Sequence, residues 1–178
     1  MGYENVGRVW SVQELGRYLR TLEAPAWCDA ITFHHTGVPS LEMRPQGLLA
    51  RHMDATRHYY ENELGWSAGP HLFIDDDECW GMCDFRSTGV HARSFNSRAI
   101  GIEVLGNYNE ESPNTGRGLA CWETAFGAGR LLLDWLGLEI HAGTVLFHRD
   151  DPKTTKTCPG SNVEKSWVLE NLQAYGTR

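Results

Sequence analysis

Two stretches decide the fold: Ala30-Ile31-Thr32-Phe33-His34-His35 and Arg98-Ala99-Ile100-Gly101-Ile102-Glu103-Val104-Leu105. Both are short, apolar and partly β-branched, which is the pattern of a buried strand. The first delivers two histidines at its C-terminal end, and the second carries a carboxylate, Glu103. Working outward, His71-Leu72-Phe73-Ile74 and Thr144-Val145-Leu146-Phe147 read as two more strands. Cys79 to Met82 reads as a hairpin partner returning after the polar turn Asp75-Asp76-Asp77-Glu78. Helical signals lie between these strands. Ser11-Val12-Gln13-Glu14 has capping-box form, with Val12, Leu15, Leu19 and Leu22 at helical spacing and Pro25 beyond. Residues 45–63 read as a helix with Pro45 in its first turn. Leu119 to Leu136 is the longest helix expected, with Gly137 as its stop. Gly127 and Gly129 weaken its middle by about 1 kcal/mol each relative to Ala. Ser161-Asn162-Val163-Glu164 has capping-box form and opens a last helix to about Tyr175. Strands and helices alternate, so the expected class is α/β: one domain, a mixed central β-sheet and flanking helices.

Composition agrees with one domain over residues 1–178, its core running from about 27 to 175. The chain has 178 residues, 41% hydrophobic and 22% charged, which suits a single core. No stretch approaches the roughly 18 apolar residues of a membrane span, so no membrane insertion is expected. The N-terminus lacks the basic and apolar regions of a signal peptide, which implies synthesis in the cytoplasm. A net charge of −7 excludes a broad nucleic-acid footprint. The five cysteines, Cys28, Cys79, Cys83, Cys121 and Cys158, are odd in number in a long chain, which speaks against a disulfide framework.

One group of residues points to chemistry. His34 and His148 each follow a buried strand, and Cys158 stands in the loop after His148. Two imidazoles and a thiolate suit zinc, and a catalytic zinc takes three protein ligands plus an open position. Strand ends are rigid enough to hold such ligands. Spacing alone leaves other readings open. A histidine after a strand is commonly a hydrogen-bonded core residue. A structural zinc would want a fourth ligand, for which Cys79 or Cys83 is available. Cys28 and Cys121 read as small buried hydrophobes.

Five segments, in order, resemble the amidase-2 family. Ile31-Thr32-Phe33-His34-His35-Thr36 looks like its first-ligand strand, and Ser67 to Ile74 like the strand that follows. Gly89-Val90-His91-Ala92 resembles the His-Ala step before the central strand. Asn96-Ser97-Arg98-Ala99-Ile100-Gly101-Ile102-Glu103 is close to the Asn-x-x-x-Ile-Gly-Ile-Glu signature. His148 with Lys156-Thr157-Cys158-Pro159-Gly160 matches the closing His-x7-Lys-x-Cys/Asp-Pro-Gly pattern. The family comprises N-acetylmuramoyl-L-alanine amidases, among them phage lysozymes and a cytoplasmic anhydro-muropeptide recycling enzyme, and the animal peptidoglycan recognition proteins.

The resemblance implies one zinc ion held by His34, His148 and Cys158. Because His34 and His35 are adjacent on a strand, they face opposite ways, and His35 is the fallback ligand. It implies hydrolysis of the amide between the lactyl group of N-acetylmuramic acid and L-alanine. Glu103 would then be the general base and Lys156 the oxyanion partner. Ile100, Ile102 and Val104 beside Glu103 supply the apolar setting that makes a carboxylate there notable. His91, Asn96 and Arg93 are expected to line the substrate groove, with Arg93 or Arg98 meeting a stem-peptide carboxylate. Phage-type members carry a Tyr where this chain has Pro70, whereas the recycling branch uses the Glu at Glu103 but an Asp as third ligand. The expected partner is peptidoglycan or its soluble muropeptides. Three roles stay open: a phage or prophage endolysin released through a holin-type pathway to act on the cell wall, a recycling amidase, and a peptidoglycan-binding module without catalysis.

Overall fold

A computed structural model describes residues 2–176. Six strands form one mixed sheet: β1 (Val9–Trp10), β2 (Ala30–His35), β3 (Leu72–Ile74), β4 (Cys79–Gly81), β5 (Ala99–Val104) and β6 (Val145–Phe147). Their order across the sheet is β1-β4-β3-β5-β2-β6. The four strands β3, β5, β2 and β6 run parallel, and β4 and β1 pair antiparallel at one side. The helices are α1 (Val12–Leu19), α2 (Ala50–His58), α3 (Gly116–Leu136) and α4 (Lys165–Ala174). The architecture is α/β in a single domain, as the alternation implied.

The side-chain alternation of β2 and β5 splits the sheet into two environments. Ile31, Phe33, Ile100, Ile102 and Val104 join the main core on the side where α3 packs across β2, β3 and β5. His34 and Glu103, paired in register, point to the other face, where the site lies. Gly129 explains a glycine that propensity disfavours: a Cβ there would stand 2.8 Å from Phe33 Cζ. The helix gives up propensity to lie close against the sheet. Gly137 stops α3 in the left-handed region, at φ 68, which glycine adopts without steric cost.

Several expected boundaries moved. The capping box at Ser11 forms as read, and α1 ends before Pro25 as expected, at Leu19, which leaves Leu22 beyond the helix. α2 starts at Ala50, not in the turn holding Pro45. Gly47 there takes φ +74, and Leu48 N–H donates to Asp75 Oδ2 at 2.7 Å, so this stretch is anchored as a loop. At its far end α2 continues as a π-helical turn, Tyr59–Glu63. Ser161 does not cap α4, which begins at Lys165 with Glu164 in the cap position. Ser161 N–H donates instead to Asn109 Oδ1, and Asn162 bonds Tyr108 O and Glu111 O. Those contacts hold residues 161–162 out of the helix. The short strand β1 had no alternation long enough to be read in sequence.

Candidate metal centre and active site

The parallel register builds the site. β2 pairs Phe33 with Phe147 on β6 and His34 with Glu103 on β5. His148, the next residue after Phe147, therefore arrives beside His34, and Glu103 flanks it on the opposite strand. His34 Nδ1 lies 3.1 Å from His148 Nδ1, 3.6 Å from Cys158 Sγ and 3.8 Å from Glu103 Oε1. One donor atom from each of His34, His148 and Cys158 falls within 4.8 Å of the others.

The loop carrying Cys158 is pinned in place. The Arg149 guanidinium donates to Gly160 O at 2.7 Å and Val163 O at 2.6 Å. Its backbone N–H donates to Cys158 O at 2.8 Å. Asp151 is buried and accepts from Ser94 N–H and Lys153 N–H. No spacing signal in the sequence marked Arg149 for this task.

His34 and His35 separate as adjacent strand residues should. The His35 ring accepts from Tyr108 N–H at 3.0 Å and stacks on Tyr108. Its backbone N–H donates to Cys158 Sγ at 3.4 Å, a contact that favours sulfur as an anion. Converging nitrogen and sulfur donors, with a backbone N–H aimed at the thiol, fit a zinc ion. Cys79 and Cys83 stay away from this cluster: both are buried and free, and Cys83 exchanges hydrogen bonds with Gly69. Cys28 and Cys121 are buried in the main core. Among the described residues, the other group with ligand-like spacing is Asp75, Asp77 and Glu78, where Asp75 accepts three backbone N–H groups of its own and a neighbouring loop.

Burial sets the electrostatics. It holds His34 well below the ordinary histidine range, aided by His91, His148 and Lys156. His148 is lowered by burial and by Lys156. Burial lifts the Cys158 thiol, and Glu103 lifts it further. Glu103 is pushed up to about 8 by burial, while Lys156 pulls it back down. The apolar setting of Glu103 differs from the one expected: Ile100, Ile102 and Val104 point to the α3 side. Phe73, its register partner on β3, and Tyr60, whose hydroxyl is pushed up by burial and further by the Glu103 charge, are its neighbours instead.

These groups open into a groove of about 760 Å³. One wall is the strand edge with His34, Glu103, His148, Cys158 and Lys156. The other includes Arg44, His52, Tyr59, Tyr60 and Trp66, from α2, the π-turn and their flanks. Sequence reading missed this second wall, because an exposed aromatic or basic residue carries no periodic signal. Pro70 lines the groove and has no hydroxyl to offer. Three expected groove residues are placed differently. Arg93 is exposed and does not line the groove. Asn96 is also outside it, and its Oδ1 accepts from His91 N–H and Ala92 N–H in a tight turn. Arg98 pairs with Asp29 at 2.7 Å. His91 borders the groove but is buried, its ring nitrogens facing His34 and Ala99 O.

A family model described as N-acetylmuramoyl-L-alanine amidase matches residues 24–161. The chain belongs to the amidase-2 family. Among curated relatives of this family, an N-acetylmuramoyl-L-alanine amidase from Sus scrofa is 27% identical over 78% of the chain, which spans only 23% of that protein's length. Peptidoglycan-recognition protein SC1a of Drosophila melanogaster is 26% identical over 88% of the chain and 76% of its own. The same fold is found in the endolysin N-acetylmuramoyl-L-alanine amidase LysCS from Clostridium intestinale URNW, with TM-score 0.63, 24% identity, and 83% of this chain and 84% of that one covered. Drosophila PGRP-LB aligns with TM-score 0.58 and 18% identity over 87% of this chain and 84% of that one.

Proposed function

We propose that this chain hydrolyses the amide between the lactyl group of N-acetylmuramic acid and L-alanine in peptidoglycan, using one zinc ion held by His34, His148 and Cys158. The observation that carries the reading is the convergence of these three donors beside Glu103 on one wall of the groove. A zinc ion bound there would polarise the scissile carbonyl and make water easier to deprotonate. Glu103 takes the proton from the attacking water and delivers it to the alanine nitrogen as the C–N bond breaks. Its raised pKa, about 8, makes it a stronger base than an exposed carboxylate and suits both transfers. Lys156 places an ammonium beside the negative charge that develops on the carbonyl oxygen, worth roughly 3 kcal/mol for one donor. Pro70 leaves no side-chain hydroxyl at its own position for that task.

The unit responsible would span residues of about 27 to 175. Cys158 as third ligand is the phage-type pattern in the resemblance, which supports a phage or prophage endolysin made in the cytoplasm and released to the wall through a holin-type pathway. No helix among the described residues is long and apolar enough to cross a membrane. The peptidoglycan-recognition relatives favour one second reading, a module that binds without cutting. A fold relative, a Drosophila PGRP-LB mutant, was solved in complex with tracheal cytotoxin.

The test is mass spectrometry of polymeric peptidoglycan and soluble anhydro-muropeptides after incubation with the protein, stripped by chelator and restored with zinc. Stem peptides starting at L-alanine, lost on stripping and regained with zinc, are expected. Preference for the polymer supports the endolysin role, and preference for soluble muropeptides supports a recycling role. Binding without cleavage by the zinc-loaded protein leaves the binding module.

A further inference from the structure

We infer that His91 is a positioning residue, which fixes the hydrogen of His34 on Nε2 and so keeps the Nδ1 lone pair of His34 free for the metal. The inference rests on the zinc reading above and concerns a residue outside the proposed ligand set, which acts through one ligand, His34.

The chain of hydrogen bonds starts at Ala99. His91 Nε2 lies 2.9 Å from Ala99 O, and a carbonyl oxygen only accepts. The hydrogen of the His91 ring therefore sits on Nε2, and Nδ1 presents a lone pair. That lone pair faces His34 Nε2 at 3.0 Å, so His34 must donate from Nε2. A neutral imidazole has one N–H, which leaves His34 Nδ1 as an acceptor. Nδ1 is the atom facing His148 Nδ1 and Cys158 Sγ. Ala99 O thus sets the orientation of two buried rings in series. Partners outside the ligand set that fix a ligating histidine in this way raise metal affinity.

The surroundings hold the His91 ring in this pose. Asn96 Oδ1 accepts from His91 N–H and Ala92 N–H, both at 2.8 Å. Gly101 on β5 provides the space, since a Cβ there would come within 2.5 Å of His91 Cγ. Gly101 N–H in turn donates to His71 Nδ1 at 3.0 Å, while His71 Nε2 meets Ser87 O at 2.9 Å. His71 therefore also carries its hydrogen on Nε2, and the glycine is flanked by two oriented rings. This gives Asn96 and Gly101, both in the segment resembling the family signature, a physical task away from substrate.

Two variants and one spectrum test the inference. His91→Leu removes the acceptor at similar bulk, and His91→Asn restores an oxygen near the position of Nδ1. Zinc affinity is read by competition with a chromophoric chelator, and folding by circular dichroism. His91→Leu should bind zinc about 10- to 100-fold more weakly, and His91→Asn should recover most of that loss. A folded His91→Leu protein with unchanged affinity would overturn the inference, and so would a His91→Asn protein as weak as His91→Leu. Ring-nitrogen NMR of the wild-type protein, with and without zinc, reads the tautomers without any variant. His91 should carry its hydrogen on Nε2 in both states; a hydrogen on His91 Nδ1 overturns the inference even if the variants fail to fold. A wild-type protein that binds no zinc would instead defeat the proposed metal site, while the tautomers could still be read.

Discussion

One wall of the groove is made of strand ends, and the other of a helix that changes its winding. On the first, His34 and Glu103 are register partners, and His148 follows the residue paired with Phe33. Their positions are fixed by the sheet, by Arg149 across the Cys158 loop and by the His91 ring. On the second, Tyr59, Leu64 and Trp66 lie on or beside the π-turn, and they are 51%, 39% and 37% exposed. Val38, from the loop after β2, also lines the groove and is 78% exposed. The first wall has the rigidity that metal and proton chemistry needs. The second offers apolar surface to a ligand, as groove rims that recognise rather than react do. Substitutions on the two walls should therefore fail in different ways.

Cys158→Ala should have the largest effect, removing both bound zinc and stem-peptide release; metal analysis alongside product analysis checks it, and retained turnover would break the assignment of chemistry to this wall. Glu103→Gln should come next, lowering kcat by about 10²- to 10⁴-fold with zinc content unchanged, as steady-state kinetics on a defined muropeptide would read. Lys156→Ala should lower kcat by about 10²-fold. It should also move the acidic limb of the rate profile to higher pH. The sign follows from the charge: the ammonium lowers the Glu103 pKa, the base must be ionised to act, and its loss makes ionisation harder. A limb that moves to lower pH would contradict the pairing. Trp66→Ala, on the opposite wall, should raise KM roughly fivefold, the equivalent of about 1 kcal/mol of aromatic contact, and leave kcat unchanged. A kcat effect there would erase the distinction between the walls.

Much of the first wall was legible in sequence, because strand periodicity and polar residues at strand ends both leave local marks. The α/β class and the grouping of His34, His148, Cys158 and Glu103 follow from such marks together with the ordered segments shared with the family. The helix start at Ala50 and the failed cap at Ser161 were not legible: each is decided by a distant partner, Asp75 in one case and Asn109 in the other. The same holds for Arg93 and Asn96, which the segment's resemblance placed in the groove. Their neighbours in three dimensions place one at the exposed surface and the other under the His91 turn. Glu103 follows from the resemblance, and the apolar neighbours read beside it, Ile100, Ile102 and Val104, lie on the opposite face of its strand.

The most direct test of the central claim is hydrolysis of a defined muropeptide by the zinc-loaded protein in ¹⁸O-labelled water, with the products read by mass spectrometry. The account predicts one ¹⁸O in the lactyl carboxyl group of the muramic product, a free amino terminus on L-alanine, and loss of both when zinc is stripped. Label in a carboxyl of the peptide, or no cleavage by the zinc-loaded protein, would contradict it.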